Sequence, residues 1–274
     1  MIIMRFRDKI KKPQRPVVTY EILPPREKDG TLNTYAEKIS SLLSQTHIDA
    51  INIPEVREEE GRGKRPVVNT NRAEPRHFGR LLQDMVGVES IVNRVVVHDK
   101  LVNQVKWFRE THEKYEIENM IIVGGESSKI KYIGPTVNQI LELVAFKYNN
   151  NGGGILCGGI TLPTRLNESK NLIRKSGNGA EFFTTQVLCD SQNIVKMMNK
   201  YQERCDALNT FPRRILLSFA PISSEKNIQF LKWLGVEISN DTEKYLFGRP
   251  GSMTERSLDV AIEVFNKIID NINE

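Results

Sequence analysis

The sequence predicts an α/β protein, a single (β/α)₈ TIM barrel, and three observations lead to that prediction. Short runs rich in β-branched residues alternate about eight times with amphipathic helical segments. No change in composition marks a linker between these repeats. The length of 274 residues suits eight such repeats in one barrel. We therefore expect one domain over residues 1–274, with residues 1–15 as a short N-terminal extension.

The predicted strands are short, and several end at a proline, which cannot donate to a sheet ladder. They cover residues 17–23, 49–54, 90–97, 119–123, 155–162, 181–188, 214–220 and 236–239. The predicted helices cover residues 32–43, 76–86, 101–115, 137–148, 166–176, 191–208, 227–234 and 252–272. Strictly alternating elements predict a parallel sheet covered by helices. No GxGxxG motif follows a strand, which argues against a dinucleotide-binding Rossmann domain.

Composition and charge describe an ordinary globular protein, with 39% hydrophobic and 27% charged residues. The net charge of +5 permits an anionic ligand. Basic clusters at residues 5–12 and 62–65 have no interleaved aromatic residues, so we interpret them as solvated surface and expect no nucleic-acid partner.

The cysteines and the hydrophobic runs predict a compartment. Cys157, Cys189 and Cys205 are far apart without CxxC spacing, so neither a metal site nor a disulfide framework is expected. No apolar run approaches the roughly 18 residues that a membrane span needs. We expect a soluble, cytoplasmic protein with no membrane partner.

Glu21 is the first candidate catalytic residue. It lies in a β-branched and aromatic run that stops at Pro24 and Pro25. Barrel strands are buried on both faces, and active sites lie at their carboxyl ends. A carboxylate there is a candidate general acid or base with a raised pKa. The alternative is an edge strand in which Glu21 faces water.

Two further strand ends carry polar groups. Gln186 shares a strand face with Phe182 and Thr184, and a planar amide can hold the edge of a heterocycle, although it can also bond to neighbouring backbone. Gly124 and Gly125 precede Glu126. Paired glycines permit close approach of the backbone to a ligand, although the same residues also make an ordinary turn.

Taken in order, these motifs resemble the methylenetetrahydrofolate reductases. The resemblance runs from about Val17 to about Phe247 and is most specific at residues 171–190 (NLIRKSGNGAEFFTTQVLCD). Members of that family are (β/α)₈ barrels that use FAD to pass a hydride from NAD(P)H to 5,10-methylenetetrahydrofolate, giving 5-methyltetrahydrofolate. The resemblance thus implies an oxidoreductase of one-carbon metabolism and methionine biosynthesis, with a folate or related pterin as substrate and a homo-oligomeric assembly.

The resemblance also implies roles for individual residues. Glu21 is similar to the family's general acid, and Glu126 occupies the place of an aspartate near the flavin and folate. Gln186 resembles the glutamine that binds the pterin, and Phe230 resembles an aromatic residue that packs on substrate or nicotinamide. A helix-core role is the alternative for Phe230. The positions implied for FAD binding are Arg94, Gly124, Gly125, Arg165, Glu168, Asn171 and Lys175.

Several of these positions depart from the family pattern. Residues 53–57 replace a Thr-Tyr-Gly-Ala-Gly segment, and Arg94 stands where the family has a histidine. The Arg-Gly-Asp of strand four reads Gly124-Gly125-Glu126, and the Tyr-Pro-Glu after strand five is replaced by residues 162–164, followed by Arg165. Because several of these positions touch the flavin in the family, FAD is the part of the resemblance that they weaken most.

Three functional hypotheses follow. The first is a reductase of methylenetetrahydrofolate in which Glu21 protonates a ring nitrogen and NAD(P)H supplies the hydride, through a flavin. The second, motivated by the departures at the flavin contacts, is a flavin-free pterin-binding barrel that serves as subunit or carrier for a partner methyltransferase or reductase. The third is a barrel lyase or aldolase with Glu21 as base, which no strand-end lysine supports.

Overall fold

The computed structural model describes residues 4–12, 15–57, 66, 71–127, 130–148, 154–248 and 251–272. Its strands are β1 (Thr19–Glu21), β2 (Ala50–Ile53), β3 (Glu89–Val95), β4 (Asn119–Val123), β5 (Leu156–Thr161), β6 (Phe182–Val187) and β7 (Arg214–Ser218). Its helices are α1 (Phe6–Lys11), α2 (Leu32–Leu43), α3 (Pro75–Val86), α4 (Leu101–Glu113), α5 (Val137–Tyr148), α6 (Glu168–Gly177), α7 (Gln192–Ala207), α8 (Glu225–Trp233), α9 (Asn240–Phe247) and α10 (Met253–Asn271). Short 3₁₀ turns cover Glu27–Asp29 and Val96–His98.

The strands follow one another in the sheet in their chain order, from β1 to β7. The pairs β1–β2, β2–β3, β3–β4 and β4–β5 are parallel. A helix stands between each strand and the next. The predicted alternation of strands and helices is therefore confirmed. Most of the predicted loop 55–71 and of the predicted turn 149–154 lies outside the described residues.

Local sequence signals explain why several elements begin and end as predicted. Helix α2 starts after Thr31, whose side chain accepts a hydrogen bond from the Thr34 N–H as an N-cap. Helix α3 has Pro75 in its first turn, where the missing N–H costs nothing. It ends at Gly87, whose φ of 76° is the left-handed conformation that glycine adopts without strain.

The predicted eighth strand is wrong: residues 236–239 form no strand in the structure. Val236 and Ile238 are buried while Glu237 and Ser239 are exposed, so the alternation that suggested a strand is real. The alternation arises because this connecting segment is buried on one side, not because it pairs with a strand. Ser239 is the N-cap of helix α9, and its side chain accepts a hydrogen bond from the Thr242 N–H. Within the described residues the sheet thus has seven strands, and the eight-stranded form of the barrel prediction is not found.

Helices α1 and α9 were not predicted. Helix α1 occupies the segment expected to be an extension, and it buries Phe6 and Ile10 completely or nearly so. The Phe6 ring meets Phe182 edge-on at 5.8 Å between centroids. Phe182 in turn lies against Gly158, where any side chain would collide with its ring. The helix was not predicted because Phe6 and Ile10, one turn apart, are too few apolar residues to show a helical period.

Contacts between Cα atoms group the chain into two compact units. Unit 1 comprises Met1–Gly61, Asn69–Gly159 and Asn178–Phe182, and unit 2 comprises Arg62–Val68, Ile160–Gly177 and Phe183–Glu274. The boundary runs through strands β5 and β6. One domain over the whole chain stays a prediction.

In unit 1, helix α3 packs closely on one face of the sheet. The Ser90 hydroxyl donates to the Gly79 carbonyl at 2.6 Å, and a Cβ at Gly79 would lie 3.4 Å from Val92. Arg94 is on the same face as Ser90 and Val92, because side chains alternate along a strand. The opposite face carries Asn93 and Ile91.

Unit 2 has an apolar core of its own, formed by Cys189, Ile222, Ile228, Leu231, Val236, Ile238 and Leu246. Buried Arg256 donates two hydrogen bonds to the Leu246 carbonyl and one to the Gly251 carbonyl. The bonds to Leu246 satisfy a carbonyl group left over where helix α9 ends. All three cysteines of the chain are free thiols, and burial raises the pKa of Cys189 to about 11.

Candidate functional site

Glu21 is the last residue of β1, which stands at one end of the strand order. Tyr20 and Glu21 both have exposed surface, so the expectation that this strand is buried on both faces is wrong. Asn52 on β2 donates from Nδ2 to Glu21 Oε2 at 2.7 Å. Protein atoms nevertheless crowd the carboxyl group: burial raises the pKa of Glu21, and the Asn52 hydrogen bond opposes that shift. Glu21 therefore retains its proton at higher pH than an ordinary glutamate.

The strand registers show which residues share the Glu21 face. Glu21 pairs with Asn52, and Asn52 pairs with Ile91 on β3. Asn93 lies two residues beyond Ile91, so it projects from the same face, one pleat nearer the carboxyl end. Arg94 projects from the other face. The structure therefore groups Glu21 with Asn52 and Asn93, and separates it from Arg94.

Arg94 is buried and is engaged by its own chain on the helix-covered face of unit 1. Its Nε donates to Gln104 at 2.9 Å, and its two terminal nitrogens donate to Glu55 at 2.8 Å and Asp99 at 2.7 Å. Its guanidinium also lies over the Trp107 ring, 4.9 Å from the centroid. Each guanidinium nitrogen thus has a protein partner, which is the pattern of a residue that ties a loop and a helix to the sheet.

The glycines after β4 also have packing explanations. A Cβ on Gly125 would lie 2.1 Å from the Tyr132 ring, so the missing side chain makes room for that ring. A Cβ on Gly124 would lie 3.3 Å from Val137. Glu126 follows as a half-buried carboxyl residue. We expected the missing side chain at Gly125 to let a ligand approach the backbone. In the structure, the Tyr132 ring occupies the place where that side chain would be.

In unit 2, four predicted FAD-binding residues gather around one carboxylate. Buried Glu168, the first residue of α6, accepts hydrogen bonds from Asn171 at 2.9 Å and from Arg165 and Lys175 at 3.3 and 3.4 Å. Lys175 Nζ also donates to the Ile160 carbonyl at 2.6 Å. Burial lowers the pKa of Lys175, and the Glu168 charge opposes this shift. The structure therefore brings these four residues together, and their contact with FAD stays a prediction.

Gln186, near the end of β6, lines a cavity of about 220 Å³ within unit 2. Its amide donates to the Leu234 carbonyl at 3.2 Å and accepts from the Val187 N–H at 3.3 Å. Asp190 and Glu237 line the same cavity. The backbone-bonded alternative for Gln186 is therefore what the structure shows, at a cavity wall. Phe230 does not line this cavity, and its ring stacks on Trp233 at 6.1 Å.

Asn52 and Asn93 were missed from the sequence. Asn52 is a single amide in the otherwise apolar run AINI, and Asn93 is a single amide in SIVNRVV, a strand that also carries Ser90 and Arg94. That signal was available, because buried amides need partners. What was lacking was the register that brings both residues to the face of Glu21.

No family model matches the chain. No curated protein matches it either. Among solved structures, an uncharacterized protein from Clostridium thermocellum that binds two copies of 5-methyl-5,6,7,8-tetrahydrofolic acid superposes with a TM-score of 0.77. It is 18% identical, and the match covers 96% of this chain and 86% of that one. The two proteins share a fold.

A second solved structure, a U32 peptidase, is 10% identical over 87% of this chain and 86% of its own, with a TM-score of 0.45. That score is too low to support an argument about fold or function. Across the described residues, no helix is long and apolar enough to cross a membrane. In the same part of the chain, no three His, Cys, Asp or Glu side chains are grouped so that they would hold a metal ion.

Proposed function

We propose that this protein binds a reduced folate and reduces 5,10-methylenetetrahydrofolate to 5-methyltetrahydrofolate. The observation that carries the proposal is the Glu21–Asn52 pair: a carboxyl group with a raised pKa, held by an amide at the carboxyl end of a parallel strand. Active sites of parallel α/β barrels occupy that end of the strands. The shared fold with a protein that binds 5-methyltetrahydrofolate supports a folate as the ligand.

Glu21 performs the acid step of this reaction. The methylene carbon of the substrate bridges N5 and N10, and protonation of N10 breaks its bond to that carbon. The product of this step is an iminium ion at N5, which accepts a hydride to become the 5-methyl group. A carboxyl group whose pKa is raised by burial is suited to give this proton. The Asn52 amide holds the carboxyl group in place and leaves its second oxygen, Oε1, for the substrate.

The electron source in this proposal is NAD(P)H, with FAD as the carrier that the resemblance implies. If bound, FAD would supply the hydride-transfer chemistry between NAD(P)H and the substrate. Of the residues around Glu168 in unit 2, the half-exposed Arg165 would hold it, since a cationic donor suits a phosphate group. Asn171 and the buried Lys175 already donate to Glu168 and do not fit this role. In unit 1, Arg94 and Gly125 do not fit this role, because Arg94 is engaged by Gln104, Glu55 and Asp99 and Gly125 is covered by Tyr132.

A second candidate function is favoured by the poor fit of Arg94 and Gly125 to FAD. The chain would bind a reduced folate without flavin and serve a partner methyltransferase or reductase as its folate-carrying subunit. The bonds made by Arg94 and the ring of Tyr132 against Gly125 support this alternative. Under it, Glu21 and Asn52 recognise the ligand and no hydride is transferred.

Two measurements test the proposal. Titration calorimetry with 5-methyltetrahydrofolate measures binding, and oxidation of NADH or NADPH in the presence of 5,10-methylenetetrahydrofolate, with and without FAD, measures turnover. Glu21→Gln is expected to reduce turnover by about 10²- to 10⁴-fold while folate still binds, because only the acid step is lost. Glu27→Gln, on an exposed turn nearby, is the matched control and is expected to behave as the unaltered protein.

The outcomes separate the candidates. Binding without turnover under any donor supports the folate-carrying subunit. Full turnover by Glu21→Gln rejects the assigned acid, and absence of folate binding rejects both functions. Light scattering on the same preparation tests the homo-oligomer that the resemblance implies.

A further inference from the structure

Two asparagine side chains on the Glu21 face of unit 1 have a buried oxygen that lacks a partner. Within the described part of the chain, Oδ1 of Asn52 and Oδ1 of Asn93 accept no hydrogen bond. Both side chains are deeply buried, with 6% of each residue's surface exposed. A buried acceptor without a donor destabilises the fold, so such groups are rare and call for an explanation.

The orientation of Asn52 follows from its neighbour. Its Nδ2 donates to Glu21 Oε2 at 2.7 Å, and a carboxyl oxygen that does not carry the proton can only accept a hydrogen bond, whether Oε1 is protonated or not. The nitrogen must therefore face Glu21, which leaves the oxygen as the unsatisfied atom. If the Asn52 amide were flipped, its oxygen would face Glu21 Oε2, and two acceptors would then be in contact.

A third asparagine on the same face provides an internal comparison. Asn119 pairs with Ile91 in the β3–β4 register, at the amino end of β4. Its Nδ2 contacts both Glu89 Oε1 and the Ser90 carbonyl at 3.4 Å. Asn119, the first residue of β4, thus has protein partners. The unsatisfied oxygens belong to Asn52, one residue before the end of β2, and to Asn93, two residues before the end of β3. Ligands bind near the carboxyl ends of the strands in such folds.

We propose that Asn52 and Asn93 recognise the ligand of the Glu21 site, with their side-chain oxygens accepting hydrogen bonds from N–H donors on a heterocycle. This inference rests on the proposed folate binding and names the edge that is read: a reduced pterin carries adjacent donors at N3 and at its 2-amino group. A heterocycle that offers only acceptors at this edge would leave both oxygens unsatisfied and would bind poorly. Glu21 on the same face then serves the reacting end of the ring system.

Asn93→Leu tests this role, because leucine has the same branched arrangement of heavy atoms and no acceptor. Asn93 is preferred to Asn52, which also holds Glu21. The Kd for 5-methyltetrahydrofolate is expected to rise about tenfold or more, since a buried donor on the ligand loses its partner. The unfolding temperature of the free protein is expected to stay the same or to rise, because an unsatisfied polar atom is removed. A purely structural asparagine would show the opposite pattern.

Asn119→Leu is the matched control on the same face. It removes an amide that has protein partners, so it is expected to lower the unfolding temperature and to leave the Kd of the folded protein unchanged. If Asn93→Leu does not fold, a ligand variant tests the unaltered protein instead. A tetrahydrofolate with methyl in place of the 2-amino group is expected to bind about tenfold more weakly or worse.

The results distinguish this inference from the proposed function. Absence of folate binding by the unaltered protein overturns both. Folate binding that neither Asn93→Leu nor the methyl analogue weakens overturns this inference alone, and it means that the two oxygens hold internal water. Weaker binding of the analogue by the unaltered protein but not by Asn93→Leu locates the contact at Asn93.

Discussion

Lys175 and Glu168 form a buried ion pair within helix α6, with Nζ 3.4 Å from Oε1. They are seven residues apart, which places them two turns apart on one face of the helix. The Glu168 side chain is fully buried and that of Lys175 nearly so. Such a pair is costly to desolvate, and it is retained only where both charges are well satisfied.

Removing one member of this pair should destabilise the protein strongly. We expect Lys175→Met to lower the free energy of unfolding by about 3–5 kcal/mol, because it leaves the Glu168 carboxylate buried with fewer partners. Urea denaturation measures this loss. Lys244→Met is the control, since Lys244 pairs with Asp241 at a fully exposed site, and its stability should not change measurably. Equal losses in the two variants would contradict the assignment of Glu168 and Lys175 as a buried pair.

The raised pKa of Glu21 should make part of the stability dependent on pH. A group whose pKa is higher in the folded state favours folding below its unfolded pKa, and this contribution is lost as pH rises through the folded pKa. We therefore expect the stability of the unaltered protein, relative to Glu21→Gln, to be greatest below about pH 4.3 and to fall as pH increases.

Unfolding midpoints between acidic and neutral pH measure this difference for the two proteins in parallel. Glu27→Gln, at an exposed position, serves as the control for the loss of a carboxyl group. A Glu21→Gln difference that is flat, or that grows as pH rises, would show that Glu21 is not held in its protonated form.

The Arg94 network gives a comparison between two arginines that share one partner. Arg94 and Arg57 both lie 2.8 Å from Glu55 Oε1, but the Arg94 side chain is 6% exposed and that of Arg57 is 41% exposed. We expect Arg94→Met to cost about 3 kcal/mol of unfolding free energy, because Glu55 and Asp99 lose their buried cation. Arg57→Met should cost less than about 1 kcal/mol.

Denaturant unfolding of both variants, together with Arg94→Lys, checks this expectation. Lysine keeps the charge but not the planar fork that reaches three acceptors, so Arg94→Lys should recover only part of the loss. If Arg94→Met is as stable as the unaltered protein, the hydrogen bonds to Glu55, Asp99 and Gln104 do not explain why an arginine is buried at this position. A contact with a ligand then becomes the better explanation.

The contact between Gly125 and Tyr132 predicts a dependence between the two positions. Gly125→Ala should lower the unfolding free energy by about 1–3 kcal/mol, because its new methyl group overlaps the Tyr132 ring. In a Tyr132→Ala background the same change should cost little. A double-mutant cycle measures this coupling, and Gly124→Ala, whose Cβ meets only Val137 at 3.3 Å, should show none with Tyr132.

Much of the fold was predictable because its signals are local. The helices α2 and α5 and the strand β4 begin and end at the predicted residues, since caps, apolar spacing and glycine or proline stops all act within a few positions. Residues 236–239 show the limit of such signals. Alternating burial of Val236 and Ile238 has the period of a strand, but pairing requires a neighbouring strand, which a local pattern does not reveal.

The candidate site was predictable to a smaller extent. The sequence singled out Glu21 as a carboxylate in an apolar run. The family resemblance, rather than any local pattern, assigned Glu168, Asn171 and Lys175 to FAD. It assigned Arg94 to the same cofactor, because Arg94 aligns with a histidine of the family. Glu55 and Asp99, which engage it, are brought to it by the packing of the loop after β2 and the turn after β3.

The sequence by itself therefore determined the alternation of strands and helices, the main element boundaries and the identity of Glu21 as an unusual carboxylate. The tertiary structure decided which faces these residues share: Asn52 and Asn93 with Glu21, and Arg94 with the helices. The physical reason is that a strand side chain points to one of two faces, and the register between strands, set by contacts far apart in the chain, determines which residues meet there.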